Sequence, residues 1–208
     1  MEIKGIGGFI MCNKATKSRL GIKELVNIGI FAAVYFVIFF IAASTGVVPI
    51  MTVLYPVLSA ILAGIPMILF LAKVNKFGML TLLCLLSGLI NFAMGFGLQS
   101  IPVALLCGLV ADLILKAGGY KSFRYMLFAY IVFSEWVVGT MLPMWIMTES
   151  YFEIARRTQG QEFVDQTLKL ITGWMLPVVI ILIAIGAAIG ALIGKRVLLK
   201  HFKRAGIA

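Results

Sequence analysis

Six long apolar runs constrain this chain more than any other feature. A helix needs about 20 consecutive apolar residues to cross the hydrocarbon core of a bilayer. Runs at 25–44, 51–72, 77–96, 101–115, 125–147 and 173–194 approach or reach that length, with Glu135 interrupting the fifth. Apolar residues make up 62% of the chain and charged ones 12%, against about 25% charged in soluble domains. The mean hydropathy is +1.09. A transmembrane β-barrel would need alternating segments of about ten residues. These runs are continuous, so the expectation is an all-α membrane protein, a bundle of six transmembrane helices.

The basic residues fall into a pattern that orients such a bundle. Lys4, Lys14, Lys17, Arg19 and Lys23 precede the first run; Lys73 and Lys76 follow the second. Lys116, Lys121 and Arg124 follow the fourth, and Lys195, Arg196, Lys200, Lys203 and Arg204 follow the sixth. With six spans these fifteen of the eighteen basic residues share one side, leaving Arg156, Arg157 and Lys169 on the other. Cytoplasmic loops are enriched in Lys and Arg, so both termini are expected in the cytoplasm (N-in/C-in). The implied organisation is a basic tail at 1–24, a membrane domain at 25–194 and a second basic tail at 195–208. The net charge of +10 therefore marks a membrane topology and not nucleic-acid binding. No cleavable signal peptide is visible, the patch at 6–11 being too short, and Met11 is an alternative start.

Small residues recur at helical spacing in two runs. Gly186, Gly190 and Gly194 stand four apart in the sixth, beside Ala187 and Ala191. Gly29 and Ala33, with Ala32 adjacent, do the same in the first. Such spacing lets helices approach closely in lipid. Packing within the chain accounts for it; a docking face for another membrane subunit is the sharper alternative.

Charges inside a bilayer are functional candidates by default. Asp112 has Lys116 one turn on, which suggests an i,i+4 pair at the interface. Glu135 lies near the middle of the fifth run and needs a partner, a proton or a water-filled cavity. Asn91 suits an interhelical hydrogen bond. Catalytic constellations are missing. The sole histidine, His201, stands in the C-terminal basic segment, Cys12, Cys84 and Cys107 have no metal-ligand spacing, and Gly194-Lys195 lacks the upstream glycine of a P-loop (Ile189 stands there). No cofactor is implied, and the chain is not expected to be an enzyme.

The segment 148–172 is long for a connection within a bundle. It reads as two short amphipathic helices hinged at Gly160, flanked by the interfacial Trp145 and Trp174. Glu153 paired with Arg156 or Arg157 would make it an interfacial cap. Alternatively it is a lid over an outward-facing pocket, where two arginines suit an anionic substrate.

The first-run segment Ile28-Gly29-Ile30-Phe31-Ala32-Ala33-Val34-Tyr35, the stretches Gly108-Leu109-Val110-Ala111-Asp112 and Gly118-Gly119-Tyr120-Lys121-Ser122, and the long segment before the last helix carry a resemblance. Together, over about residues 20–200, they resemble the substrate-binding membrane subunit (S component) of energy-coupling-factor (ECF) transporters, within it the Trep_Strep family of bacterial membrane proteins. S components commonly show an Ala-x-x-x-Ala pattern in the first helix; Gly29 stands here for the first alanine. The resemblance implies a subunit of the bacterial plasma membrane that binds a vitamin or similar micronutrient from the outside. A membrane coupling subunit and two cytoplasmic ATPases would be its partners. Gly29, Ala32 and Ala33 would meet the coupling subunit. The pocket would lie in the outer halves of the later helices, under the loops after the first, third and fifth runs. Position and polarity there single out Asn91, Gln99, Glu135, Trp136, Trp145, Tyr151 and Arg157. Rival readings are a stand-alone secondary carrier or a membrane enzyme at the outer interface, each using Glu135, or an assembly partner without a ligand.

Overall fold

The computed structural model describes residues 20–95 and 97–204, with side chains through residue 200. Cys12, most of the N-terminal basic tail, Phe96, the His201 side chain and residues 205–208 lie outside the described residues. What is described is helical, with no strand. Helix α1 spans Ile22–Ala43 and passes through a 3-10 turn (Ser44–Val47) into α2 (Pro49–Leu62) and α3 (Gly64–Lys73). Helices α4 (Met79–Ala93) and α5 (Ser100–Ala117) follow. The fifth run becomes α6 (Phe123–Ser134), a 3-10 turn (Glu135–Val137), α7 (Val138–Met141) and α8 (Pro143–Ile146). Two short helices, α9 (Thr148–Gln159) and α10 (Gln161–Leu170), precede the long α11 (Met175–Arg204).

Among the described residues four segments are long and apolar enough to cross a membrane: Ile22–Val47, Ser100–Ala117, Phe123–Ile146 and Met175–Lys200. The second apolar run is not one straight helix, because α2 and α3 meet at an angle of 47°. Pro66, third in α3, lacks an N–H, and its ring opposes the carbonyl four residues back, which places the break at Ala63–Gly64. The third run yields a helix of only 15 residues, about 22 Å long at 1.5 Å per residue. Gly78 and Gly95, at φ +97° and +91°, flank it in a left-handed conformation that no helix continues through. The last helix runs beyond Gly194 to Arg204, since Lys195–Arg204 holds no proline or glycine to stop it.

Glycines decide how closely these helices approach. Helix α11 packs on α2 and α3, and a Cβ at Gly64 would collide with the backbone of Gly190. At Gly190 it would lie 2.5 Å from the Ala60 carbonyl, and at Gly194 2.6 Å from that of Gly64. The glycine stripe of the sixth run is therefore used within the chain, seating α11 in the bend between α2 and α3. Gly29 faces outward with nothing within 4 Å of its would-be Cβ. Ala33 is exposed on the same side, but Ala32 is only 2% exposed and points into the core, so it does not belong to that face.

An aromatic and polar framework ties the fifth span to the first two. Trp136 Nε1 donates to Tyr35 Oη at 2.8 Å, Tyr130 Oη donates to the Ala60 carbonyl at 2.6 Å, and Tyr55 Oη and Thr140 Oγ1 share a hydrogen bond at 2.9 Å. Phe39, Tyr55 and Phe133 complete the cluster, with Phe39 5.3 Å from Trp136 between ring centroids.

Asp112 corrects the expected pair with Lys116. Its Oδ2 accepts the N–H groups of Gly78 at 3.1 Å and Thr81 at 2.7 Å, and also the Thr81 hydroxyl. The carboxyl thus caps α4 from the neighbouring helix, satisfying N–H groups that a helix start leaves without partners. Lys116 lies instead over the Phe77 ring, 5.6 Å from its centroid. Lys195 lies over Phe123 at 4.3 Å, and Lys76 pairs with Glu24 at 2.8 Å. These contacts gather the basic segments at one end of the bundle, while α9 and α10 follow from its other end.

The glycine seat gives a sharp contrast. Gly190→Leu should lower the thermal midpoint in nanodiscs by several degrees, overpacking costing about 1–3 kcal/mol or more. Gly29→Leu should leave it unchanged. Equal midpoints for the two variants would contradict this packing.

Candidate functional site

At the end away from the basic contacts, the chain leaves α4 through two glycines with positive φ, Gly95 and Gly97. That path delivers Gln99 to the rim of a cavity of about 290 Å³. Small-molecule sites run from about 300 to 1,000 Å³, so this one suits a small ligand. Thr140, Pro143 and Met147 form a second wall, and one face of α9 from Ser150 to Gln159 forms the third.

The sequence of α9 explains why it can serve as a wall. Ser150, Tyr151, Ile154, Ala155 and Thr158 recur at helical spacing and line the cavity, while Glu149, Glu153, Arg156 and Arg157 lie between them and do not. Glu153 and Arg157 form an exposed i,i+4 ion pair, as expected for an interfacial cap. Phe152 and Ala155 pack with Phe163 and Val164 of α10 into a small core of their own. Gly160, at φ +91°, turns the chain between the two helices, so the amphipathic hairpin hinged at this glycine is present.

Of the seven residues singled out for binding, the cavity unites two, Gln99 and Tyr151. Gln99 Nε2 donates to Met147 Sδ at 2.9 Å, and Gln99 Oε1 is buried with no hydrogen-bond partner among the described residues. Tyr151 packs edge-on against Phe152, and burial pushes its phenol up to about 12, so it stays a neutral hydroxyl at physiological pH.

The other five sit elsewhere. Trp136 is fully buried, held in the core by Tyr35. Trp145 Nε1 donates to the Thr172 carbonyl at 3.4 Å and ties the end of the fifth span to the start of the last. Asn91 is buried and donates to the Ser87 carbonyl within its own helix at 3.2 Å, not across to another helix, and its Oδ1 has no partner among the described residues. Arg157 projects into solvent, 76% exposed. Both carboxyl oxygens of Glu135 are buried and without a hydrogen-bond partner among the described residues, and Glu135 does not line the cavity. The loop after α1 is also not part of the lining. Nothing in the sequence marks Thr140, Met147 or Thr158 as cavity residues, because each looks like an ordinary position in a run or an amphipathic helix. The glycine pair before Gln99 was the one local signal.

Among the described residues no three His, Cys, Asp or Glu side chains converge to hold a metal ion. The cavity presents one buried acceptor, several neutral hydroxyls, the Gln159 amide and apolar side chains.

The chain belongs to the Trep_Strep family, hypothetical bacterial integral membrane proteins, whose family model matches residues 22–204. No curated protein and no solved structure matches it.

The assignment of residues to core and site is open to a direct check. Trp136→Ala should destabilise the bundle by roughly 3–5 kcal/mol, read as a large drop in thermal midpoint. Glu135→Gln, which removes a carboxyl with no hydrogen-bond partner among the described residues, should leave the midpoint unchanged or raise it. A marked loss with Glu135→Gln would reveal a cationic partner for that residue.

Proposed function

We propose that this membrane protein is the substrate-binding subunit of an ATP-driven importer of the ECF type. It takes a small molecule from the outer side and hands it inward while docked on a membrane coupling subunit, with two cytoplasmic ATPases supplying the energy. The observation that carries this reading is the cavity walled by α9, lying at the bundle end opposite the basic contacts of Lys76, Lys116 and Lys195. The enrichment of Lys and Arg in cytoplasmic loops supports reading the cavity as facing outward and both termini as cytoplasmic. Six crossings belong to the same reading: α1, the bent pair α2–α3, the short α4, α5, α6–α8 and α11. The amphipathic α9–α10 hairpin then lies at the outer interface as a cover for the ligand.

The exposed side of α1 supports the docking role. Gly29 and Ala33 sit one turn apart among exposed Val26, Ile30 and Val37, a smooth apolar face against which a partner helix can pack closely. A carrier coupled through Glu135 is the second reading, favoured by the absence of partners for its carboxyl among the described residues.

Gly29→Leu and Ala33→Leu test the docking directly. Each should leave the chain folded and monodisperse, since the positions face outward, yet abolish co-purification of coupling and ATPase subunits from the native host. An intact complex in both variants would remove α1 as the docking helix. Uptake that survives without any ATPase partner and collapses with an uncoupler would favour the carrier.

A further inference from the structure

The cavity restricts the charge and hydrogen-bonding character of what it holds. Its lining among the described residues includes no charged side chain. The arginines of α9 cannot serve it: Arg157 is 76% exposed and already paired with Glu153, and Arg156 shares the charged side of the helix. An ion entering an apolar, partly buried site without a counter-charge loses hydration that nothing replaces.

Hydrogen bonding adds a direction. Thr140 and Thr158 donate their hydroxyl protons to the Val137 and Ile154 carbonyls, at 2.7 Å and 3.0 Å. Gln99 holds its amide donor on the sulfur of Met147, a weak acceptor that would not favour the amide oxygen in its place. Its oxygen is thereby left buried and unpaired among the described residues, and a buried acceptor without a donor is unfavourable. Gly97 preserves this arrangement, since a Cβ there would collide with Gln99 Oε1.

Resting on the binding reading above, we infer that the cavity takes an uncharged small molecule presenting an N–H or O–H donor, such as an amide, lactam or alcohol, to Gln99 Oε1. Tyr151 offers it a neutral hydroxyl and an aromatic face. This replaces the anionic substrate that the two arginines suggested.

The full chain in nanodiscs, incubated with the small-molecule fraction of yeast extract, washed and denatured, would release what it retained for mass spectrometry. Wild type should release a compound uncharged at neutral pH that carries N–H or O–H groups. Gln99→Leu should reduce its recovery about tenfold or more, the scale of one lost hydrogen bond, while Arg157→Ala leaves it unchanged. Thermal midpoints confirm that both variants are folded. Recovery of an anionic compound, or of a neutral one indifferent to Gln99→Leu, would overturn the inference while leaving the binding reading intact. Recovery of lipid alone, or of nothing, from wild type would remove the binding reading itself.

Discussion

The contact on which this bundle depends is the meeting of α11 with the bend between α2 and α3. Backbone lies against backbone there, because Gly64, Gly190 and Gly194 present no side chain to one another. Lipid offers no hydrophobic drive for helices to associate, so close packing and interhelical hydrogen bonds must do it. The bend supplies a concave seat, and proline supplies the bend. From this seat the fifth span takes its place: Tyr130 reaches the Ala60 carbonyl beside the glycine contact, and Trp136 and Thr140 join it to α1 and α2 through Tyr35 and Tyr55.

Polar groups buried in the bundle divide into two kinds. Some are matched: Asp112 caps α4 across the helix gap, and the Trp136 and Tyr130 protons have acceptors. The Gln99 oxygen, the Asn91 oxygen, Asp112 Oδ1 and the Glu135 carboxyl remain without partners among the described residues. A satisfied group fixes the register of helices, whereas an unsatisfied one beside a cavity is an invitation to a ligand. Of these four residues, Gln99 alone lines the cavity.

The α9–α10 hairpin shows how one short segment serves two surroundings. Its charged side pairs with itself, its opposite side closes the cavity, and Phe152 packs with Phe163 of α10, which itself rests on α2.

By itself the sequence determined the membrane class, the places of the apolar segments, the gathering of basic residues and the hinge at Gly160. These follow from local composition and periodicity, which a linear string displays. It also contained the glycine stripe of the last helix, but not its partner. Only the tertiary structure decided that Gly190 meets Gly64, that Asp112 serves α4 and not Lys116, that Trp136 belongs to the core, and that Gln99 and Tyr151 share a cavity while Arg157 faces away. Each of these depends on which face of one helix turns toward another distant in sequence. In a chain where nearly every face is apolar, hydrophobic periodicity cannot report that; only the packing of the whole bundle does.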